Sequence, residues 1–135
     1  MKHLKLFLCI AIIFLGSKTA SAQDPVIENT PVKIQNTSWK GTFFVPSPQE
    51  CIMTFTSDTA YLKINGESIE TSTFTINGDT LTFHKVSGGS PCGMDIIGIY
   101  KMDIKDDLLS ISVIADDCQA RAMGFPTEPL TAIKE

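Results

Sequence analysis

Hydrophobic and polar residues alternate in short runs along most of the chain after residue 37. This period of two is the pattern of β-strands that bury one face. The runs are rich in Thr, Ile, Val and Phe, which β-strands favour. Turn residues separate them, including Asn-Gly pairs at Asn65 and Asn77, which are strong hairpin signals because a type I′ turn needs positive φ at both central residues. The pattern predicts eight strands at residues 38–45, 50–57, 60–65, 68–77, 80–86, 95–105, 108–115 and 129–134.

The connections between these strands are short, which favours consecutive hairpins. We therefore expect an all-β fold, an eight-stranded antiparallel up-and-down barrel, because closure removes the exposed strand edges. A two-sheet sandwich is the alternative, but no connection is long enough to force a Greek-key crossover. Residues 116–125 break the alternation and predict about two helical turns before the last strand, with Asp116 or Asp117 as the cap and Gly124 as the stop.

Alternation also assigns an inward face to each strand. His84 falls on the outward face with Thr80 and Thr82, which argues against a haem-binding role. An eight-stranded barrel is either filled by its side chains or holds one small ligand, and both possibilities stay open here. The apolar residues expected to point inward include Trp39, Phe43, Val45, Met53, Phe55, Phe74, Leu81, Phe83, Tyr100, Met102, Ile104, Leu109, Ile111 and Val113. The candidate ligand-binding residues are Phe43, Met53, Phe74, Phe83, Tyr100 and Met102.

The first 22 residues have the three parts of a cleaved signal peptide. Lys2 and Lys5 supply the positive charge, residues 6–16 form an apolar stretch too short to span a bilayer, and residues 20–22 are a small-residue cleavage site. We expect a mature chain that starts at Gln23 and is secreted or periplasmic. Residues 23–37 then form an extended leader, and residues 38–135 form the barrel domain.

The charge of the chain excludes some partners. Cleavage at Gln23 would leave 15 acidic residues against eight basic ones. Nucleic acids and anionic membranes are bound by basic surfaces, so neither is an expected partner. No second apolar run is long enough for a membrane helix, and we expect a monomer.

The barrel sequence resembles the small bacterial lipocalin-like proteins of the calycin type. The resemblance covers residues 38–135 and is carried by Trp39-Lys40-Gly41, by Gly98-Ile99-Tyr100, by the segment from Ala115 to Arg121 and by the returning last strand. It implies an eight-stranded barrel of a type that in some members carries small apolar molecules.

Three cysteines follow residue 23, and two of them fall in one predicted hairpin. With the turn centred on Asp106-Asp107, Cys92 and Cys118 lie almost opposite each other at its open end, where they can form a disulfide. Cys51 remains either a buried free thiol or an alternative partner for one of them. A zinc site of Cys51, His84, Cys92 and Cys118 is disfavoured because the four show no ligand spacing typical of zinc.

No catalytic arrangement is recognisable in the sequence, so we expect neither an enzyme nor a cofactor or metal. Asp103, Asp106 and Asp107 lack the spacing of a calcium loop and are interpreted as turn residues. Arg121 is interpreted as a residue that pairs with an acid or covers one end of the barrel. The leading hypothesis is binding of a small hydrophobic ligand at the barrel mouth formed by residues 46–48, residues 88–91 and the short helix. The alternative is a protein-interaction or inhibitory module with a filled barrel.

Overall fold

The computed structural model describes residues 33–134, so the predicted signal peptide and the cleavage site before Gln23 lie outside the described residues. The described chain forms eight strands and one short helix, close to the expected positions. The strands are β1 (Thr37–Phe44), β2 (Pro48–Phe55), β3 (Thr59–Ile64), β4 (Glu67–Asn77), β5 (Thr80–Gly88), β6 (Ile97–Lys105), β7 (Leu108–Asp116) and β8 (Leu130–Ile133), with α1 (Gln119–Ala122) before β8.

The strands close into one antiparallel barrel in which every strand pairs with its neighbours in sequence. The ends of the sheet meet where β1 pairs with β8, with Ser38 opposite Ile133 and Lys40 opposite Thr131. This pairing confirms the predicted up-and-down barrel and rules out the two-sheet sandwich. Within residues 33–134 no helix has the length and apolar character needed to span a membrane.

The two Asn-Gly pairs form different turns. Asn65 and Gly66 both have positive φ, 52° and 86°, as a type I′ turn requires. In the next hairpin Asn77 pairs with Thr80, so the central residues are Gly78 and Asp79, and of these two only Gly78 has positive φ. The second turn is therefore of the type II′ kind, because the strand pairing extends one residue further than the sequence signal indicates.

The inward sets predicted by alternation form the core, with one exception. Eleven of them are buried: Trp39, Phe43, Met53, Phe55, Phe74, Leu81, Phe83, Tyr100, Met102, Leu109 and Ile111. Val113 was expected to point inward but is 44% exposed. Strand β8 pairs with β7 only at Leu108 and Leu109, so Val113 lies on a part of the wall that no neighbouring strand covers on that side. Ile34, in the predicted leader, is fully buried in the core.

The helix is shorter than predicted, with one turn instead of two. Its N-cap is Cys118, not Asp116 or Asp117, and no side chain caps it. Asp116 is the last residue of β7, and its carboxylate forms a buried ion pair with Arg121 instead of capping the helix. After the helix the chain docks on β1, where the Phe44 N–H donates to the Gly124 carbonyl at 3.0 Å.

Candidate functional site

A cavity of about 440 Å³ opens at the end of the barrel that carries the β1–β2 connection, the β5–β6 connection and α1. This is the end at which the sequence placed the mouth. Its walls are mainly apolar and come from several strands as well as the helical segment. The lining includes Phe43, Met53, Ala60, Leu62, Phe83 and Phe125.

The six candidate ligand-binding residues divide into two groups. Phe43, Met53 and Phe83 line the cavity. Phe74, Tyr100 and Met102 are buried in the core but are not part of the lining. The barrel is thus filled by side chains in one part and open in another. The filled interior and the ligand-sized cavity that the sequence left as alternatives are both present, in different regions.

Aromatic rings separate the filled part from the cavity. Phe83 packs against Tyr100 with 5.6 Å between ring centroids and against Phe74 at 6.4 Å. Phe125, which follows α1, places its ring 4.6 Å from that of Tyr100 and 6.0 Å from that of Phe83. Contacts at such distances are favourable beyond the area they bury. They anchor the segment after the helix to the barrel interior, so this segment forms part of the cavity wall.

A first polar cluster lies at the cavity edge and joins β4, β5 and the connection that follows β5. Lys85 Nζ donates to the Ser90 carbonyl at 2.6 Å and to Ser90 Oγ at 3.1 Å, and it lies 3.8 Å from Glu70 Oε1. Ser90 Oγ donates to Glu70 Oε1 at 2.6 Å. The Lys85 side chain is only 6% exposed and that of Glu70 only 16%. The Lys85 charge is therefore paired, as a buried ammonium requires.

The position of Lys85 in β5 is a sequence signal for this cluster, although a lysine would be assigned to the surface on hydrophobicity alone. Lys85 has the same parity as Leu81 and Phe83, so strict alternation already places it on the inward face. Its partner was not apparent, because a register shift after Thr71 brings Glu70 opposite Gly88. Charged residues are almost never buried unless paired, so an inward lysine calls for an acidic partner.

A second polar cluster lies where β7 leads into α1. Arg121 Nε donates to Asp116 Oδ2 at 2.6 Å, and Arg121 Nη2 donates to Asp116 Oδ1 at 2.9 Å. The Tyr100 hydroxyl donates to Asp116 Oδ2, and the Cys118 N–H donates to Oδ1 at 2.9 Å. The Asp116 side chain has no exposed area, and that of Arg121 is 8% exposed. The sequence expectation that Arg121 pairs with an acid is confirmed.

The surroundings shift the protonation equilibria of this cluster. Burial alone would raise the pKa of Asp116, but hydrogen bonds from Arg121, Tyr100 and the Cys118 N–H outweigh it and lower that pKa. Burial, together with the hydrogen bond to Asp116, raises the pKa of Tyr100 well above its usual range. Asp116 and Arg121 are thus a charged pair at neutral pH, beside a neutral Tyr100.

Two further features hold this cluster in place. A Cβ on Gly98 would lie 2.5 Å from Asp116 Oδ2 and 2.7 Å from Tyr100 Cε2, so the cluster requires glycine there. The predicted disulfide between Cys92 and Cys118 is confirmed, with 5.4 Å between the two Cα atoms, and it ties the start of the helix to the β5–β6 connection. Arg121 Nη2 adds a hydrogen bond to the Ile96 carbonyl at 3.0 Å.

One atom in this arrangement has no partner. Arg121 lines the cavity, and its Nη1 is buried without a hydrogen-bond partner among residues 33–134. The sequence predicted a structural role for Arg121. The hydrogen bonds of Nε and Nη2 fit that role, whereas Nη1 makes none within the described residues. Arg121 lies in the cavity wall because the segment after α1 docks on the barrel. Strand periodicity does not predict this docking.

The remaining reactive side chains lie apart from the cavity lining. His84 is exposed, as its outward parity predicted. Cys51 is buried and forms no disulfide within the described part of the chain, and burial raises the pKa of its thiol. A thiol held protonated in this way is a poor nucleophile. Across residues 33–134 no three histidine, cysteine or acidic residues are grouped so that they could hold a metal ion.

Comparisons with protein-family models, with curated proteins and with solved structures find no match to this chain.

Proposed function

We propose that this protein is an exported, non-catalytic barrel that binds one small apolar molecule in the cavity at its helix-bearing end. The observation that carries the proposal is the apolar-walled cavity of about 440 Å³. Ligand pockets are typically concave, mainly apolar and of roughly 300–1,000 Å³. The resemblance to lipocalin-like proteins that carry small apolar molecules supports the same function.

The cavity also distinguishes this proposal from an interaction module with a filled barrel. A filled interior would place Met53 and Ala60 in contact with other side chains all round, whereas both line open space. Export is supported by the signal-like N-terminus and by the disulfide, since disulfides persist in oxidising compartments. If the chain is exported and cleaved as proposed, N-terminal sequencing of the mature protein will begin at Gln23.

Titration with a neutral fluorescent dye, N-phenyl-1-naphthylamine, tests ligand binding. Ala60 is buried and lines the cavity, so Ala60→Trp places an indole in the space a ligand would occupy. Ala115 is exposed and lies outside the lining, so Ala115→Trp is the matched control. We expect saturable dye binding by the wild type and by Ala115→Trp, and at least about tenfold weaker binding by Ala60→Trp.

A second variant guards against misfolding of the first. Leu62 also lines the cavity but is only partly buried, so Leu62→Trp adds bulk where the wall is less tightly packed. Circular dichroism checks that each variant folds. Native mass spectrometry of the wild type with the dye and with long-chain alkanes then reports occupancy directly. Absence of occupancy by every apolar probe, or equal dye affinity in folded Ala60→Trp and Leu62→Trp, would overturn the proposal.

A further inference from the structure

Within residues 33–134, the polar side chains of the cavity wall are those of Glu70, Ser72, Ser90 and Arg121. Both donors of Ser90 are engaged, because its Oγ and its N–H donate to Glu70 at 2.6 Å and 3.3 Å. Arg121 donates to Asp116 through Nε and Nη2, and its Nη1 is buried too deeply for a ligand to reach. The capacity for further hydrogen bonds in this wall is therefore on Ser72 and Glu70.

Ser72 presents an unpaired hydroxyl to the cavity. It lies on the inward face of β4 with Phe74, it is only 7% exposed, and its Oγ has no hydrogen-bond partner within the described chain. Arg121 Nη1 is the only side-chain nitrogen or oxygen of residues 33–134 that is both unpaired and closed to solvent, so Ser72 Oγ keeps accessible surface. Because Ser72 faces inward and lines the cavity, that surface faces the cavity. A hydroxyl in an otherwise apolar space is stabilised by a ligand that bonds to it.

The Glu70 carboxylate has acceptor capacity left in the same wall. An ionised carboxylate can accept about four hydrogen bonds, and Ser90 supplies two of them. The Glu70 side chain lines the cavity and keeps 16% of its surface exposed. Glu70 precedes Ser72 by two residues in β4, so their side chains leave the strand on one face about 7 Å apart. One ligand oxygen can bridge this span with two hydrogen bonds of about 2.8 Å.

A neutral hydroxyl fits these two side chains better than a carbonyl or an ion. It can accept from Ser72 Oγ and donate to Glu70, whereas a carbonyl or ether oxygen only accepts. A carboxylate would meet the like charge of Glu70. An ammonium would find Glu70 already balanced by Lys85, whose Nζ lies 3.8 Å from Oε1. Either ion would be buried without a free counter-charge, which is strongly unfavourable.

We propose that the cavity takes an uncharged alcohol with an apolar body, and that the alcohol hydroxyl accepts a hydrogen bond from Ser72 Oγ and donates one to Glu70. This inference rests on the proposed function and adds the class and orientation of the ligand. The hydroxyl end lies against β4, and the apolar body lies against the wall that includes Phe43, Met53 and Phe125.

A pair of isomers tests the proposal on the wild type. 1-Decanol and methyl nonyl ether contain the same atoms, but only the alcohol can donate a hydrogen bond. Displacement of N-phenyl-1-naphthylamine at pH 7 measures both affinities, with decanoate as the charged comparison. We expect the alcohol to bind at least about tenfold more tightly than the ether, because a hydrogen bond to a carboxylate contributes about that much, and more tightly than decanoate. Equal or tighter binding by the ether, or tightest binding by decanoate, would overturn the proposal.

Ser72→Ala removes the hydroxyl that donates to the ligand. The measured quantity is the dissociation constant of 1-decanol divided by that of undecane, which has no oxygen, in each protein. This ratio is expected to rise at least about fivefold in Ser72→Ala, the effect of one neutral hydrogen bond. Thr73→Ala removes the hydroxyl of the exposed neighbour outside the lining and is expected to leave the ratio unchanged. An unchanged ratio in folded Ser72→Ala contradicts the role of Ser72.

Glu70→Gln tests the acceptor, because an amide oxygen accepts a hydrogen bond more weakly than a carboxylate. The preference for 1-decanol over the ether is expected to fall at least about threefold in this variant. Glu67→Gln, at the exposed start of β4 and outside the lining, is the matched control and is expected to keep the preference. A preference undiminished in Glu70→Gln, with folding checked by circular dichroism, contradicts the assignment to Glu70.

These measurements separate failure of the inference from failure of the proposed function. Binding of the dye and of undecane by the wild type without a preference for the alcohol over its isomer would overturn the inference and leave the proposed function standing. Failure of the dye and of every other probe to bind would overturn the proposed function itself.

Discussion

Gly88 lies directly opposite Glu70 across the β4–β5 ladder, and its backbone has a φ of 131°. A Cβ at this position would overlap Glu70 Oε2 and lie 2.6 Å from the Ile69 carbonyl oxygen. Because Gly88 has no side chain, the Glu70 carboxylate can lie in this space and accept the hydrogen bond from Ser90. The cluster of Glu70, Lys85 and Ser90 depends on this glycine.

Gly88→Ala is expected to lower the free energy of unfolding by about 1–3 kcal/mol, because alanine meets both an unfavourable φ and a steric overlap. Gly89→Ala is the matched control, since nothing lies within 4 Å of a Cβ at that position. We expect the control to change stability by less than about 0.5 kcal/mol. Urea unfolding followed by circular dichroism measures both. Similar stability of the two variants would contradict the close approach of Gly88 and Glu70.

The buried pair of Glu70 and Lys85 is expected to behave as a coupled unit. Lys85→Met leaves the Glu70 carboxylate without its counter-charge, and Glu70→Gln does the reverse, so each is expected to cost about 2 kcal/mol. The double variant is expected to cost less than the sum, with a coupling energy of about 1 kcal/mol, which lies within the range for residues in contact. A double-mutant cycle from urea unfolding measures this energy. Strictly additive effects would show that the two charges do not interact.

The disulfide is expected to stabilise the barrel by restricting the unfolded chain. Cys92 and Cys118 are 26 residues apart, so the chain-entropy model predicts a loss of about 3–4 kcal/mol when both are replaced by alanine. Reduction of the wild type should lower the urea midpoint to that of the double variant, and the same reductant should leave the double variant unchanged. An unchanged midpoint in the reduced wild type would contradict this expectation.

Local signals in the sequence were sufficient for the barrel and for the disulfide. The alternation assigned eleven of the buried core residues. The turn at Asp106 placed Cys92 and Cys118 near each other, because hairpin register depends on a short stretch of chain. The inward assignment of Val113 was wrong because it depended on a non-local contact. Its exposure depends on the length of β8, a strand from a distant part of the sequence, which pairs with β7 only at its first two residues.

Strand periodicity places Lys85 on the inward face but does not reveal the other polar residues of the candidate site. Arg121 lies in the cavity wall because the segment after α1 docks through Phe125 and through the bond from Phe44 to Gly124, contacts that join residues far apart in sequence. The Glu70–Lys85 pair depends on a bulge at Thr71 that displaces the register by one residue. Bulges and docked loops are set by tertiary packing, so a single sequence does not reveal them.

The ion pair of Asp116 and Arg121 is expected to make stability fall on acidification. The pKa of Asp116 is lowered in the folded protein, so the contribution of the pair is fully present above the ordinary aspartate value of about 3.9 and is lost as pH falls from there through the lowered native pKa. Asp116→Asn removes this titration, and the stability difference between wild type and variant is expected to shrink as pH falls below about 4. Urea unfolding at several pH values measures this difference, with Asp117→Asn at the exposed neighbour as the control. A difference between wild type and Asp116→Asn that stays constant over this range would show that Asp116 titrates alike in the folded and unfolded chains.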